Sequence, residues 1–209
     1  MIDLSDVDLE QFLTKWHGMP DRSATRAVAR PDLPEPLRAW HELTSQWSDR
    51  VMAVKEFTPL DEVAFRDDKA IFLADPANAI WALDSAANVY EGRRYEGWVK
   101  LPESLSEFLT HNAIMEAAYG APVRRYCDSV ENSWMTDALA PLTEVATNGW
   151  NWPAPNYRVF MSDNLIAVVG PAMEGGAALE NEAGFSGVQF GATTPSSLSH
   201  LESIPGDWF

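Results

Sequence analysis

The 209-residue sequence is poor in cysteine, in basic residues over its second half, in long apolar runs and in known catalytic strings. Each shortage excludes something. Its one cysteine, Cys127, forms no internal disulfide, which removes stapled secreted scaffolds and multi-cysteine metal sites and fits a reducing compartment. No stretch approaches the roughly 20 apolar residues that a membrane span needs. The segment Met1–Asp8 is acidic where a signal peptide carries a positive region, so the expected location is cytoplasmic. Residues 126–209 hold one basic side chain, Arg158, against 10 acidic ones; residues 1–125 hold 14 basic and 21 acidic. The net charge of −16 repels nucleic-acid phosphates and anionic lipid alike. Neither nucleic acid nor membrane is an expected partner. A basic protein is.

Chemical motifs are missing as well. The chain has no Walker pattern, no Gly-x-Gly-x-x-Gly after a strand and no His-Glu-x-x-His. His17, His41, His111 and His200 are scattered without a carboxylate or cysteine at ligand spacing. Cys127 follows Arg124 and Arg125, which would lower a thiol pKa, but no partner histidine is identifiable. The pairs Asp67-Asp68 and Glu180/Glu182 read as solvated surface in so acidic a chain. No catalytic residue, metal or cofactor is therefore expected.

The composition is that of an ordinary folded protein, 46% hydrophobic and 22% charged, enough for one large domain or two small ones. Ser5 and Asp8 resemble a capping box ahead of Leu9, Phe12, Leu13 and Trp16, which repeat at helical spacing and predict a helix near 6–17. Residues 19–34 read as a linker, followed by a helix near 36–47 carrying Leu37, Trp40, Leu43 and Trp47. The runs 70–74 and 79–84, joined by Asp75-Pro76-Ala77-Asn78, predict a hairpin. Val89-Tyr90 and Trp98-Val99 add two strands around a charged turn, Glu91-Gly92-Arg93-Arg94, and a third helix is expected near 103–117.

The second half is harder to read. Residues 126–148 have helical spacing at Trp134, Ala138, Leu142 and Val145, interrupted by Pro141. Trp150–Pro155 suits no regular element. Strands near 157–161 and 165–169 form the clearest hairpin, followed by an acidic loop over 170–184, a strand at 187–191 and a short helix from Thr194. Phe72 to Leu83 is echoed by Phe160 to Val169, and Pro102-Glu103-Ser104-Leu105 by Pro195-Ser196-Ser197-Leu198. Either a helix–strands–helix unit is used twice, or two unrelated hairpins share turn and capping residues.

The order of elements resembles a known family. Leu33-Pro34-Glu35-Pro36-Leu37-Arg38-Ala39-Trp40, then the hairpin ending in Ile80-Trp81-Ala82-Leu83-Asp84, then Trp98 and the closing Ser104-Leu105-Ser106-Glu107-Phe108-Leu109, look like the SUKH superfamily, the group related to the fungal cell-wall synthesis regulator. The similarity covers roughly residues 30–118; the usual Gly-Gly step is replaced by Ser48-Asp49. It implies an α+β fold, mostly antiparallel sheet flanked by helices. The organisation expected is an N-terminal helix and linker (1–30), a SUKH-like unit (31–120) and a second α+β unit or sheet extension (121–209). It also implies a non-enzymatic role, because many bacterial members are similar to immunity proteins that neutralise a cognate toxin.

Three readings follow. The first is an immunity protein that binds a basic toxin; the second, a regulatory or scaffolding binder without a toxin. The third is an enzyme or small-ligand protein whose site is assembled from scattered residues such as Trp98, Glu96, Arg158 and the 175–184 loop. For the binding readings, Asp67, Asp68, Glu91, Glu96, Glu180 and Glu182 flank predicted strands or lie in the long loop, with Trp98 as aromatic anchor.

Overall fold

The structure, a computed structural model, describes residues 1–25, 30–93, 96–146, 157–174, 177–178 and 184–209. The fold is α+β, built on antiparallel sheets with helices beside them. The described chain divides into two compact units: one takes in Asp8–Glu116, the other Met1–Val7 and the described residues after Glu116.

Helix α1 (Leu9–His17) begins where the Gln11 backbone N–H donates to Asp8 Oδ1 at 3.0 Å and ends at Gly18, whose φ of +84° suits glycine. The expected Ser5–Asp8 capping box is not formed. Val7 is extended, so Asp3 caps a separate 3-10 turn at Leu4–Asp6 and Asp8 caps α1 on its own. Helix α2 (Glu35–Thr44) starts on Pro34 and Pro36 and buries Leu37 and Trp40. It stops short of Trp47, whose indole instead donates to the Gly18 carbonyl at 2.8 Å. Helix α3 (Leu105–Gly120) opens with a true capping box: Ser104 N–H donates to Glu107 Oε2 at 2.8 Å, and Glu107 N–H to Ser104 Oγ at 3.3 Å. Residues 108–118 of α3 are all buried, including the polar Thr110, His111, Asn112 and Glu116, so the helix is enclosed on every side and its polar groups need internal partners.

The first unit carries a six-stranded sheet: β1 (Glu56–Phe57), β2 (Ala64–Arg66), β3 (Lys69–Ala74), β4 (Ala79–Leu83), β5 (Val89–Arg93) and β6 (Trp98–Lys100). Its order is β1-β3-β4-β5-β6, with β2 also on β3. Phe72 and Trp81 pack on Phe108 at ring distances of 5.8 and 6.2 Å, which seats the sheet's inner face on α3. Glu91, Gly92 and Arg93, expected in a turn, belong to β5: Glu91 pairs with Val99 and Gly92 with Trp98.

The second unit contains β7 (Val123–Glu131), α4 (Asn132–Ala138), β8 (Thr143–Glu144), β9 (Arg158–Met161), β10 (Leu165–Pro171), β11 (Met173–Glu174), β12 (Ala177–Ala178) and β13 (Phe185–Ala192). The five-stranded order is β7-β13-β10-β9-β8, and β11 pairs with β12. A 3-10 helix, Pro195–Ser203, packs Leu198 and Leu201 into a core with Phe160, Ala167 and Phe190. The helix expected over 126–148 is a strand, one short helix and another strand. Cys127 and Val130 of β7 pack into the core, and α4 ends three residues before Pro141, which denies a continuing helix its N–H. Trp150–Pro155 lies outside the described residues.

The internal echo holds for part of each sheet. β3-β4-β5 and β9-β10-β13 are both three-stranded antiparallel runs in chain order. Beyond them the halves diverge: β5 pairs with the later strand β6, and β13 with the earlier strand β7. Phe72 sits at a register shift while Phe160 pairs directly with Ala167. Shared turn chemistry accounts for the remainder. Among the described residues, no helix is long and apolar enough to cross a membrane.

Candidate partner-binding surface

Arg66 and Lys69 form a direct pair across a two-residue hairpin loop. Both loop residues, Asp67 (φ 51°) and Asp68 (φ 57°), occupy the left-handed region, the pattern of a type I′ turn. That turn exposes both carboxylates. Across the outer face of the sheet lies Trp98, paired with Gly92, where a Cβ would come within 2.9 Å of the indole. Glycine at 92 thus lets the ring lie flat on the strand. The Arg66 guanidinium covers the ring at 4.2 Å, and Trp98 Nε1 donates to Asp67 Oδ2 at 3.3 Å. Arg66 also donates to the carbonyls of Arg93 at 3.5 Å and Glu96 at 3.4 Å.

Four of the expected contact residues, Asp67, Asp68, Glu96 and Trp98, therefore meet at one corner of the first unit. Trp98 is half-buried beneath Arg66, so a partner meets the indole edge and the guanidinium together. Charge at this corner is mixed: Arg66 and Lys69 flank Asp67 and Asp68, and the Arg93 and Glu96 carbonyls accept from Arg66. Such a corner offers shape and directed hydrogen bonds more than a field.

Glu91 stands apart. Its partner in β4 is Trp81, on the inner face of the sheet, and burial pushes its carboxyl above the usual range against an opposing hydrogen bond from the Trp81 indole. Close by is the buried Lys55. Its Nζ donates to Asn112 Oδ1 and lies 5.0 Å from the Trp81 ring centre, while Glu116 Oε2 accepts the N–H groups of Val54 at 2.6 Å and Lys55 at 3.2 Å. Burial lowers the Lys55 pKa to about 8, opposed by attraction to Glu116, Asp75 and Glu91. Lys55 also lines a cavity of about 260 Å³ walled by Trp40, Trp47 and Phe57. A second buried pair joins His111 Nδ1 to Glu103 Oε1 at 2.5 Å, and burial raises the Glu103 carboxyl. Neither Glu91 nor Glu103 lines the Lys55 cavity.

Glu180 and Glu182 lie outside the described residues. By sequence, the second unit's segments, residues 1–7, 117–147 and 151–209, contain twelve acidic side chains against three basic, Arg124, Arg125 and Arg158. Glu131, Asp137, Asp163 and Glu202 are exposed there. Arg158 is held by Glu144 through two 2.7 Å hydrogen bonds. Among the described residues, no group of three or more His, Cys, Asp or Glu is placed to hold a metal ion.

The residue that sequence reading missed is Arg66, which organises the corner. Its signal was a cation on each side of an Asp-Asp pair, the length of a two-residue hairpin, next to the already recognised strand at 70–74. No family model, curated protein or solved structure matches the chain.

Proposed function

We propose that this protein acts by binding a basic protein partner, and that it does so as an immunity protein that neutralises a cognate toxin in the cytoplasm. The observation that carries the reading is the concentration of charge: twelve acidic against three basic side chains in the second unit of a chain whose net charge is −16. A surface of that sign draws a basic protein into encounter faster than diffusion alone and repels anionic competitors. The order of helices and strands in residues 30–118, similar to the SUKH group, supports the immunity role. In this reading the second unit, Glu180 and Glu182 included, steers approach, while the mixed corner of Asp67, Asp68, Glu96 and Trp98 supplies local recognition. Glu91 contributes from the inner face only through Trp81.

The test is affinity capture from the source cells with wild type and with a second-unit variant, Glu131→Gln, Asp137→Asn, Asp163→Asn and Glu202→Gln combined. Kinetics with the purified captured protein then follow. A basic partner is expected whose association slows in the variant. It should also slow between about 0.05 and 0.5 M salt, as the Debye length falls from roughly 14 to roughly 4 Å. Trp98→Ala should act on dissociation instead. The partner expressed alone should be toxic, and co-expression should remove that toxicity. A basic, non-toxic partner keeps binding but replaces immunity with a scaffolding role. Turnover of a small substrate by the pure protein, abolished by one pocket mutation, would falsify both.

A further inference from the structure

One face of the five-stranded sheet carries a cavity of about 190 Å³ that the surface described above does not use. Its floor includes Gly170 and Gly187, which pair directly across β10 and β13. A Cβ on Gly170 would run into the ring of Tyr157, and one on Gly187 would come within 2.7 Å of the Pro171 carbonyl. Glycine at these two positions lets the Tyr157 ring and the Pro171 carbonyl close onto the sheet beside the cavity. Tyr119 from the last turn of α3, Tyr126 from β7 and Tyr157 ahead of β9 line it, together with Asp128. Tyr126 is braced by Phe209, its ring stacked at 5.2 Å and 24°. Among the described residues lining the cavity there is one carboxylate and no lysine, arginine or histidine.

We propose that this cavity binds an organic cation, an alkylammonium group, caged by the three tyrosines with Asp128 as counter-charge. Aromatic faces carry negative quadrupole density, and several rings around one carboxylate form an environment in which a weakly hydrated ammonium is favoured over an anion or a neutral group of equal shape. Size points the same way. Sites for whole drug-sized molecules run from about 300 to 1,000 Å³, so this cavity suits a head group or a side-chain terminus. The acidic surplus of the surrounding unit raises the local concentration of cations. Occupancy here does not depend on the partner proposed above being a toxin.

The experiment titrates the full-length protein with choline and, separately, with its neutral carbon isostere 3,3-dimethyl-1-butanol, at constant ionic strength, following the tyrosine ring resonances by NMR. Choline should bind at least about tenfold more tightly than the isostere, the ratio that one favourable cation–ring contact supplies. Tyr126→Leu and Asp128→Asn should each weaken choline by about three- to tenfold, whereas Tyr126→Phe, which keeps the ring, should stay within about twofold of wild type. The phenylalanine variant separates loss of the cage from loss of the fold. N-acetyl-trimethyllysine methylamide serves as a second probe: tighter binding than choline means that the group arrives on a polypeptide, weaker binding that it arrives on a small molecule. Equal affinity for the neutral isostere, no response to choline or trimethyllysine, or an unaltered Tyr126→Leu variant would each overturn the site.

Discussion

Trp98 donates its indole N–H to Asp67 at 3.3 Å while lying on Gly92, so a turn carboxylate and a strand glycine fix one ring. The backbone at Gly92 is ordinary for any residue; what requires glycine is the indole. Gly92→Ala should therefore leave the fold intact, displace Trp98 and lower stability by about 1–3 kcal/mol, the usual cost of overpacking. The Trp98 indole N–H resonance, assigned by comparison with Trp98→Phe, reads the displacement. An unchanged resonance and denaturation midpoint would mean that the ring does not rest on the glycine.

Asp68 sits at φ 57° in the second position of the hairpin loop, where glycine is the preferred residue. The left-handed conformation costs an L-residue roughly 1–2 kcal/mol, and aspartate recovers part of that through local hydrogen bonding. Glycine also gains entropy in the unfolded chain, which subtracts from the benefit. Asp68→Gly should accordingly raise stability by about 0.5–1 kcal/mol. A lower urea midpoint would show that the Asp68 carboxylate stabilises the turn more than its backbone costs.

Where periodicity met good caps, the elements were legible. Leu9, Phe12, Leu13 and Trp16 marked α1, the segment after Pro102 marked a helix near 103–117, and Asp75–Asn78 marked the β3–β4 turn, while the Ser104–Glu107 box emerged only in the structure. The strand β7 was hidden because its first half, with Arg124, Arg125 and Tyr126 all exposed, offers little apolar alternation, while Trp134 and Ala138 beyond it share a true helical turn. At the candidate surface, Asp67, Asp68, Glu96 and Trp98 were legible as flanking residues. That Arg66 joins them, and that Glu91 points to the other face, depends on β-register, which nearest neighbours in sequence do not specify.

His41 is half-buried with its ring edge-on to Phe57 at 5.8 Å, and burial lowers its pKa from 6.5 to about 4. The neutral ring is thus favoured in the folded state. Between pH 6.5 and pH 4 the unfolded chain binds the extra proton, so stability attributable to His41 is complete above 6.5 and is lost as pH falls through 4. Discounted for its partial exposure, the loss is about 1–2 kcal/mol. The carboxylates titrate in the same range but are common to wild type and His41→Leu. The difference between the two urea midpoints, measured from pH 7 to pH 4, should therefore narrow in the variant's favour. A constant difference would place the His41 pKa near its ordinary value.

Lys55 shows the same linkage at the alkaline end. The residue is 3% exposed, its ammonium held by Asn112 beside Trp81, and burial lowers its pKa from 10.5 to about 8. Below pH 8 both folded and unfolded chains carry the proton, and the folded state bears the whole desolvation cost. From pH 8 to 10.5 the folded protein releases it while the unfolded chain keeps it, so stability rises with pH over that window and the gain is complete only above 10.5. The shift corresponds to a change on the order of 3 kcal/mol. Increasing self-repulsion of an already acidic chain acts in the opposite direction, but almost equally on Lys55→Met, which keeps the volume and loses the titration. Urea midpoints of both proteins at pH 7, 8, 9 and 10 isolate the lysine: wild type should gain on the variant at each step above 8. If the two curves run parallel, Lys55 remains charged throughout, and its three neighbouring carboxylates, Glu116, Asp75 and Glu91, outweigh its burial.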